Sequence, residues 1–137
     1  MVISVAVVIC IVVINPLLYC WMQMRDIDKY GIGKVMDEVN DYFRDRTDIH
    51  LSYDIDALDP FFAPSTGTAV RGGLTFREGN FICEELFASG RLTSMDLVEV
   101  NPDLHAMASE RTIDVANVLI GSAMGQEILD RTIPIKR

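Results

Sequence analysis

No charged residue precedes Arg25 in this chain of 137 residues, so its opening stretch cannot be an ordinary solvated surface element. Val2 to Ile14 reads V-I-S-V-A-V-V-I-C-I-V-V-I, in which ten of thirteen residues are Val or Ile. A run of about 20 apolar residues is long enough to cross a bilayer as a helix. Tyr19 and Trp21 near its end suit an interfacial aromatic belt, and Arg25, Lys29 and Lys34 then favour a cytoplasmic C-terminal part. Such density of β-branched residues also fits a buried strand, because branched side chains pack well on a pleated surface. Asn15-Pro16 interrupts the run, although membrane helices tolerate proline better than soluble ones. No basic region precedes it and no small-residue cleavage site follows, which argues against a cleaved signal peptide. The chain therefore divides into an apolar leader, residues 1–23, forming a helix or strand, and a second part, residues 24–137. A membrane contact through residues 2–22 and a leader without a working role both stay open.

Every charge, and the whole net charge of −8, belongs to the second part. A domain of this size can bury roughly 60–65% of its surface. An acidic balance argues against nucleic acid, which needs clustered Lys and Arg for its phosphates. Cys10, Cys20 and Cys83 make no disulfide framework, and Cys83 lies among apolar helical positions where a free buried thiol is expected.

The periodicity gives alternating helix and strand. Val35, Met36, Val39, Tyr42 and Phe43 form one helical face. A strand over Ile49–Ile55 follows, and Ala57–Gly73, rich in Pro, Gly, Ser and Thr, is a loop where a pocket can be built. Thr75-Phe76-Arg77-Glu78 is a capping box. Its helix carries Phe81, Ile82 and Leu86 and ends before Gly90, a left-handed cap. A second strand spans Met95–Val100. A last helix opens at Ser109 or a neighbour, with Ile113, Ala116, Ile120, Ala123 and Met124 on one face. This order reads as parallel α/β, in which two strands joined by helix crossovers leave both sheet edges unpaired.

The chemistry-bearing stretch is Ser52-Tyr53-Asp54-Ile55-Asp56-Ala57-Leu58-Asp59-Pro60. Positions i and i+2 of a strand point the same way, about 6.6–7 Å apart. Asp54 and Asp56 could thus converge on two cations about 3.5–4 Å apart, the spacing of two-metal hydrolytic sites. The plainer reading is two carboxylates that end a strand and begin a loop.

Further motifs follow: Ala63-Pro64-Ser65-Thr66-Gly67-Thr68, Gly72-Gly73-Leu74-Thr75-Phe76-Arg77-Glu78-Gly79 and Leu97-Val98-Glu99-Val100-Asn101-Pro102. In this order and spacing the chain resembles the C-terminal half of the arginase/agmatinase (ureohydrolase) family, from about Met24 to Gly125. The R-E-G after G-G-L-T and the E-V-N-P look more like arginase than agmatinase. The resemblance implies a partial three-layer α/β/α fold with parallel strands, two Mn²⁺ ions, and hydrolysis of L-arginine to L-ornithine and urea by a hydroxide bridging the metals. It implies that Asp54 bridges the ions, Asp56 binds one, Thr68 lines the substrate pocket and Glu99 faces the guanidinium. Hard carboxylate oxygens suit Mn²⁺, and a carboxylate facing a guanidinium makes charge-assisted hydrogen bonds. It also implies a cytoplasmic location unless the leader spans a membrane, and it leaves a homo-oligomer open.

The chain departs from the family where it lacks the G-G-D-H and D-A-H-x-D segments that supply the other metal ligands and the upstream proton-shuttle histidine. His50 and His105 match no ligand or shuttle position and read as structural, so no residue is assigned to catalysis itself. Three functions are compatible with this pattern. One is a truncated, incomplete arginase. The second is a membrane-anchored, non-catalytic arginase-like interaction protein. The third is a related ureohydrolase acting on agmatine or another guanidino compound. Low autonomous stability is expected.

Overall fold

The structure, a computed structural model, describes residues 9–13, 18–20, 23–45, 48–104 and 108–128. Strands β1 (Ile9–Val13) and β2 (Leu18–Cys20) precede helix α1 (Met24–Tyr42) and strand β3 (Ile49–Asp54). Helix α2 (Phe76–Ala88), strand β4 (Leu92–Val98) and helix α3 (Ser109–Ala123) complete the order. The sheet runs β2-β1-β3-β4, with β3 and β4 parallel and β1 antiparallel to both β2 and β3.

The expected pair of parallel strands is therefore only half of a mixed sheet. The edge of β3 predicted to be bare is covered by β1, with Ile9 opposite Tyr53 and Val13 opposite Ile49. Within the leader the strand reading describes Ile9–Val13 and Leu18–Cys20, and no helix of the described residues is long and apolar enough to cross a membrane. Asn15, Pro16 and Trp21 lie outside the described residues, as does His105.

Strand β3 shows why one face became core. Ile49, Leu51 and Tyr53 are fully buried, while His50, Ser52 and Asp54 on the opposite face are partly exposed. This is the period-two alternation of a strand packed on one side. The buried side chains join one cluster with Val35, Met36, Val39 and Phe43 of the α1 region, Ile82, Cys83 and Leu86 of α2, and Val115, Ala116 and Leu119 of α3. The polar face is stitched across the strands: His50 bonds Ser94 at 2.8 Å and Asp96 at 3.2 Å, and Ser52 donates to Asp96 at 2.6 Å. These bonds give His50 the structural place anticipated for it.

The helices depart from expectation in detail. Helix α1 is broken at Gly31, whose φ of 77° is a conformation glycine adopts without steric cost. Tyr42, expected on the buried face, is 55% exposed, because the chain turns at Phe43 and buries that ring instead. Helix α2 has both halves of its capping box, and Gly90 sits at φ 69° just past Ser89, as expected. Helix α3 is rotated from its predicted face. Thr112, Val115, Ala116, Leu119 and Ser122 are buried, whereas Ile113 and Ile120 are about one-third exposed and Met124 is 75% exposed. The polar residues can turn inward because they are bonded there: Thr112 accepts from Ser65 N and Ser122 donates to Asn80.

Candidate functional site

Strand β3 stops at Asp54, and Ile55–Ala57 form a single 3₁₀ turn that Asp54 caps. The Asp54 carboxylate accepts from the backbone N–H of Asp56 at 3.0 Å. Asp56 thus lies on a turn rather than on the strand, and the i, i+2 strand geometry expected for the pair does not apply. The carboxylates are nonetheless neighbours. Burial first, then the charge of Asp54 and a hydrogen bond with it, then the charge of Glu99, push the Asp56 carboxyl up to about 6. An acid pair forced together in this way is relieved by a proton or by a cation.

The base of the loop after this turn is clamped by backbone hydrogen bonds. Leu74 N donates to Ala57 O at 2.8 Å, and Asp59 N donates to Leu74 O at 2.9 Å. The approach is so close that a Cβ at Gly73 would lie 2.7 Å from Ala57 O and Asp59 N, which is why no larger residue fits. The Asp59 carboxylate spans the loop by accepting from Phe61 N and Gly72 N, both at 2.8 Å, and these bonds hold it below the usual carboxylate range.

Glu99 lies just beyond β4, which ends at Val98 rather than at Val100 as predicted. Among the described residues it is the one non-glycine at positive φ, at 67°. This conformation costs a side-chain-bearing residue steric energy and recurs at functional sites. A Cβ placed on Gly67 would meet Glu99 Oε2 at 3.9 Å, so the glutamate reaches the Thr66-Gly67-Thr68 turn. Thr68 is exposed in that turn, next to Gly67. Asp54, Asp56 and Glu99 therefore lie at the C-terminal ends of two parallel strands, the end at which open α/β sheets bind ligands, and Thr68 follows Gly67 in the turn beside Glu99.

Residues that spacing did not reveal hold this arrangement together. Fully buried Ser65 donates through Oγ to Asn101 O at 2.6 Å and accepts from Asn101 N at 3.0 Å. The Thr66 hydroxyl, also buried, has no hydrogen-bond partner among the described residues. The Ala57–Gly73 stretch was expected as a loop, but nothing in its composition showed that Ser65 bonds Asn101.

The donor set at this end is two carboxylates with hard oxygens, which fit a divalent cation such as Mn²⁺ in type. They do not enclose one, and among the described residues no group of three or more His, Cys, Asp or Glu side chains could hold a metal.

Comparison with known proteins gives the architecture a context. An arginase of Emericella nidulans is 54% identical over 107 residues, covering 78% of this chain and 33% of that protein. The solved arginase of Bacillus cereus superposes with a TM-score of 0.73 at 39% identity, over 79% of this chain and 37% of that one. The Entamoeba histolytica arginase solved in complex with L-ornithine gives 0.70 at 33% identity, over 76% of this chain and 34% of that one. The chain thus spans about a third of the length of the curated relatives it matches. With the arginase family model matching residues 15–125, through the acid pair, the T-G-T turn and Glu99, the chain belongs to the arginase family.

Proposed function

We propose that this chain carries the substrate-recognition side, and two of the metal carboxylates, of a manganese-dependent arginase that converts L-arginine to L-ornithine and urea. The observation that supports this reading most is geometric: Asp54 and Asp56 close the C-terminal end of β3, joined by the 3.0 Å bond from Asp56 N to the Asp54 carboxylate, and Glu99 follows the end of the parallel neighbour β4. Asp54 and Asp56 would hold manganese, which when bound supplies an activated water as nucleophile. Glu99 orients the planar guanidinium through charge-assisted hydrogen bonds, and Thr68 borders the same pocket. The motifs that supply the family's other ligands do not occur in this sequence, so a complete site of that kind would need ligands besides Asp54 and Asp56. Of the two other readings, an agmatine-type substrate is less favoured by the R-E-G and E-V-N-P motifs, and an interaction protein would leave the acid pair without a purpose.

The test is L-arginine binding by the full chain, followed by nuclear magnetic resonance. The wild type should bind with shifts centred on residues 66–68 and 99, and Glu99→Gln should weaken binding about tenfold, the worth of one charge-assisted hydrogen bond. Equal affinity in the variant, or shifts elsewhere, would remove Glu99 from the recognition role.

A further inference from the structure

We propose that Ser65 and Thr112 are positioning residues for Glu99: together they lock the T-G-T turn to the segment after β4 and so fix where the guanidinium-facing acid stands. This deepens the reading of Glu99 as the substrate-facing acid and rests on it.

Three polar groups of Ser65 are used in this lock. Its N–H donates to Thr112 Oγ1 at 2.9 Å, its hydroxyl donates to Asn101 O at 2.6 Å, and its carbonyl accepts from Asn101 N at 3.0 Å. Ser65 and Thr112 are both fully buried, so water does not compete for the bond between them, while Asn101 at the other end of the lock is exposed. Thr112 lies on α3, which packs against α2 and β4, so the lock is anchored to the body of the fold and not to another loop.

The geometry makes the lock matter for Glu99 in particular. Asn101 is two residues after Glu99, and Ser65 is three before Thr68, so the bonded pair ties the segment carrying Glu99 to the T-G-T turn. Glu99 holds a left-handed backbone at φ 67°, a conformation that persists only when its surroundings over-determine it. The two Ser65–Asn101 bonds constrain the residues that follow Glu99, whose carboxylate lies beside Gly67, 3.9 Å from where a Cβ there would stand. Loosening the lock lets Glu99 relax toward an extended backbone and carries its carboxylate away from Gly67.

The experiment compares Ser65→Ala, Thr112→Val, Thr112→Ser and Glu99→Gln in the full chain. Three readouts are taken: thermal stability, the backbone chemical shifts of Glu99, and affinity for L-arginine. Thr112→Val keeps shape and loses the acceptor, whereas Thr112→Ser keeps the hydroxyl and loses a buried methyl. The proposal expects Ser65→Ala and Thr112→Val to weaken L-arginine binding about fivefold, the worth of a buried hydrogen bond, and to move Glu99 out of its left-handed signature. Thr112→Ser should be destabilised yet retain both. If Ser65→Ala and Thr112→Val keep wild-type affinity and Glu99 shifts while Glu99→Gln loses affinity, the lock is overturned and the recognition reading stands. If affinity falls equally in all three Ser65 and Thr112 variants, in step with stability, the role is merely structural and the proposal fails. If Glu99→Gln binds like the wild type, the recognition reading itself has failed, and the proposal falls with it.

Discussion

Burial and two neighbouring acids act against the charge of Asp56, and this has a pH signature. Its carboxyl is raised from an ordinary 3.8 to about 6, so the folded state binds a proton more tightly than the unfolded state between those values. Stability from this group is therefore greatest below about pH 4 and is lost as pH rises through about 6. Asp56→Asn should be more stable than the wild type at pH 7, and should lose the part of the acid-side gain that this carboxyl supplies. Denaturant titrations at pH 7, 5 and 4 check both statements. Tyr53 is a second uneasy residue. Its hydroxyl is buried without a partner among the described residues, and burial raises its pKa well above the ordinary value. A Cβ at Gly79 would come within 2.5 Å of that oxygen, so the glycine makes room for it. Tyr53→Phe should raise stability by about 1 kcal/mol, the cost of an orphaned buried hydroxyl. A comparable loss would instead reveal a partner. Motif order picked out Asp54, Asp56 and Glu99 as candidates, but the left-handed backbone of Glu99 and the bonds of Ser65 were not legible. Both depend on contacts between segments more than thirty residues apart.

Elements announced by local chemistry were the ones easiest to read. The Thr75–Glu78 capping box and Gly90 bracket α2 because caps satisfy orphan backbone groups within a few residues. The face of α3 was misread because apolar residues surround most of that helix, and its polar Thr112 and Ser122 go inward only through distant partners. Helix α1 shows the same dependence. Its last turn carries no basic residue, and Arg91, after α2, reaches across to supply the missing donors. The guanidinium donates to Asn40 O at 3.2 Å, to Asn40 Oδ1 at 2.7 Å and to the carbonyl of Phe43. Arg91→Met should therefore fray the end of α1 and cost about 2 kcal/mol, in line with hydrogen bonds to a charged group. Hydrogen exchange of the amides from Val39 to Phe43 is the direct measure, and unchanged protection would show that the cap is not needed.

At the scale of the molecule, composition separated the uncharged leader from the acidic body but could not assign a sheet partner. Pairing of β1 with β3 is a long-range contact, and a run of Val and Ile fits a membrane helix and a strand equally well. The sheet that results sets an acid pair and Glu99 at one end, with too few donors among the described residues to enclose a metal. Titration of the full chain with Mn²⁺, followed by electron paramagnetic resonance, tests this account most directly. It predicts weak binding without the signature of a spin-coupled pair, lost in both Asp54→Ala and Asp56→Ala. Binding that survives both substitutions, or a tightly held coupled pair, would contradict it.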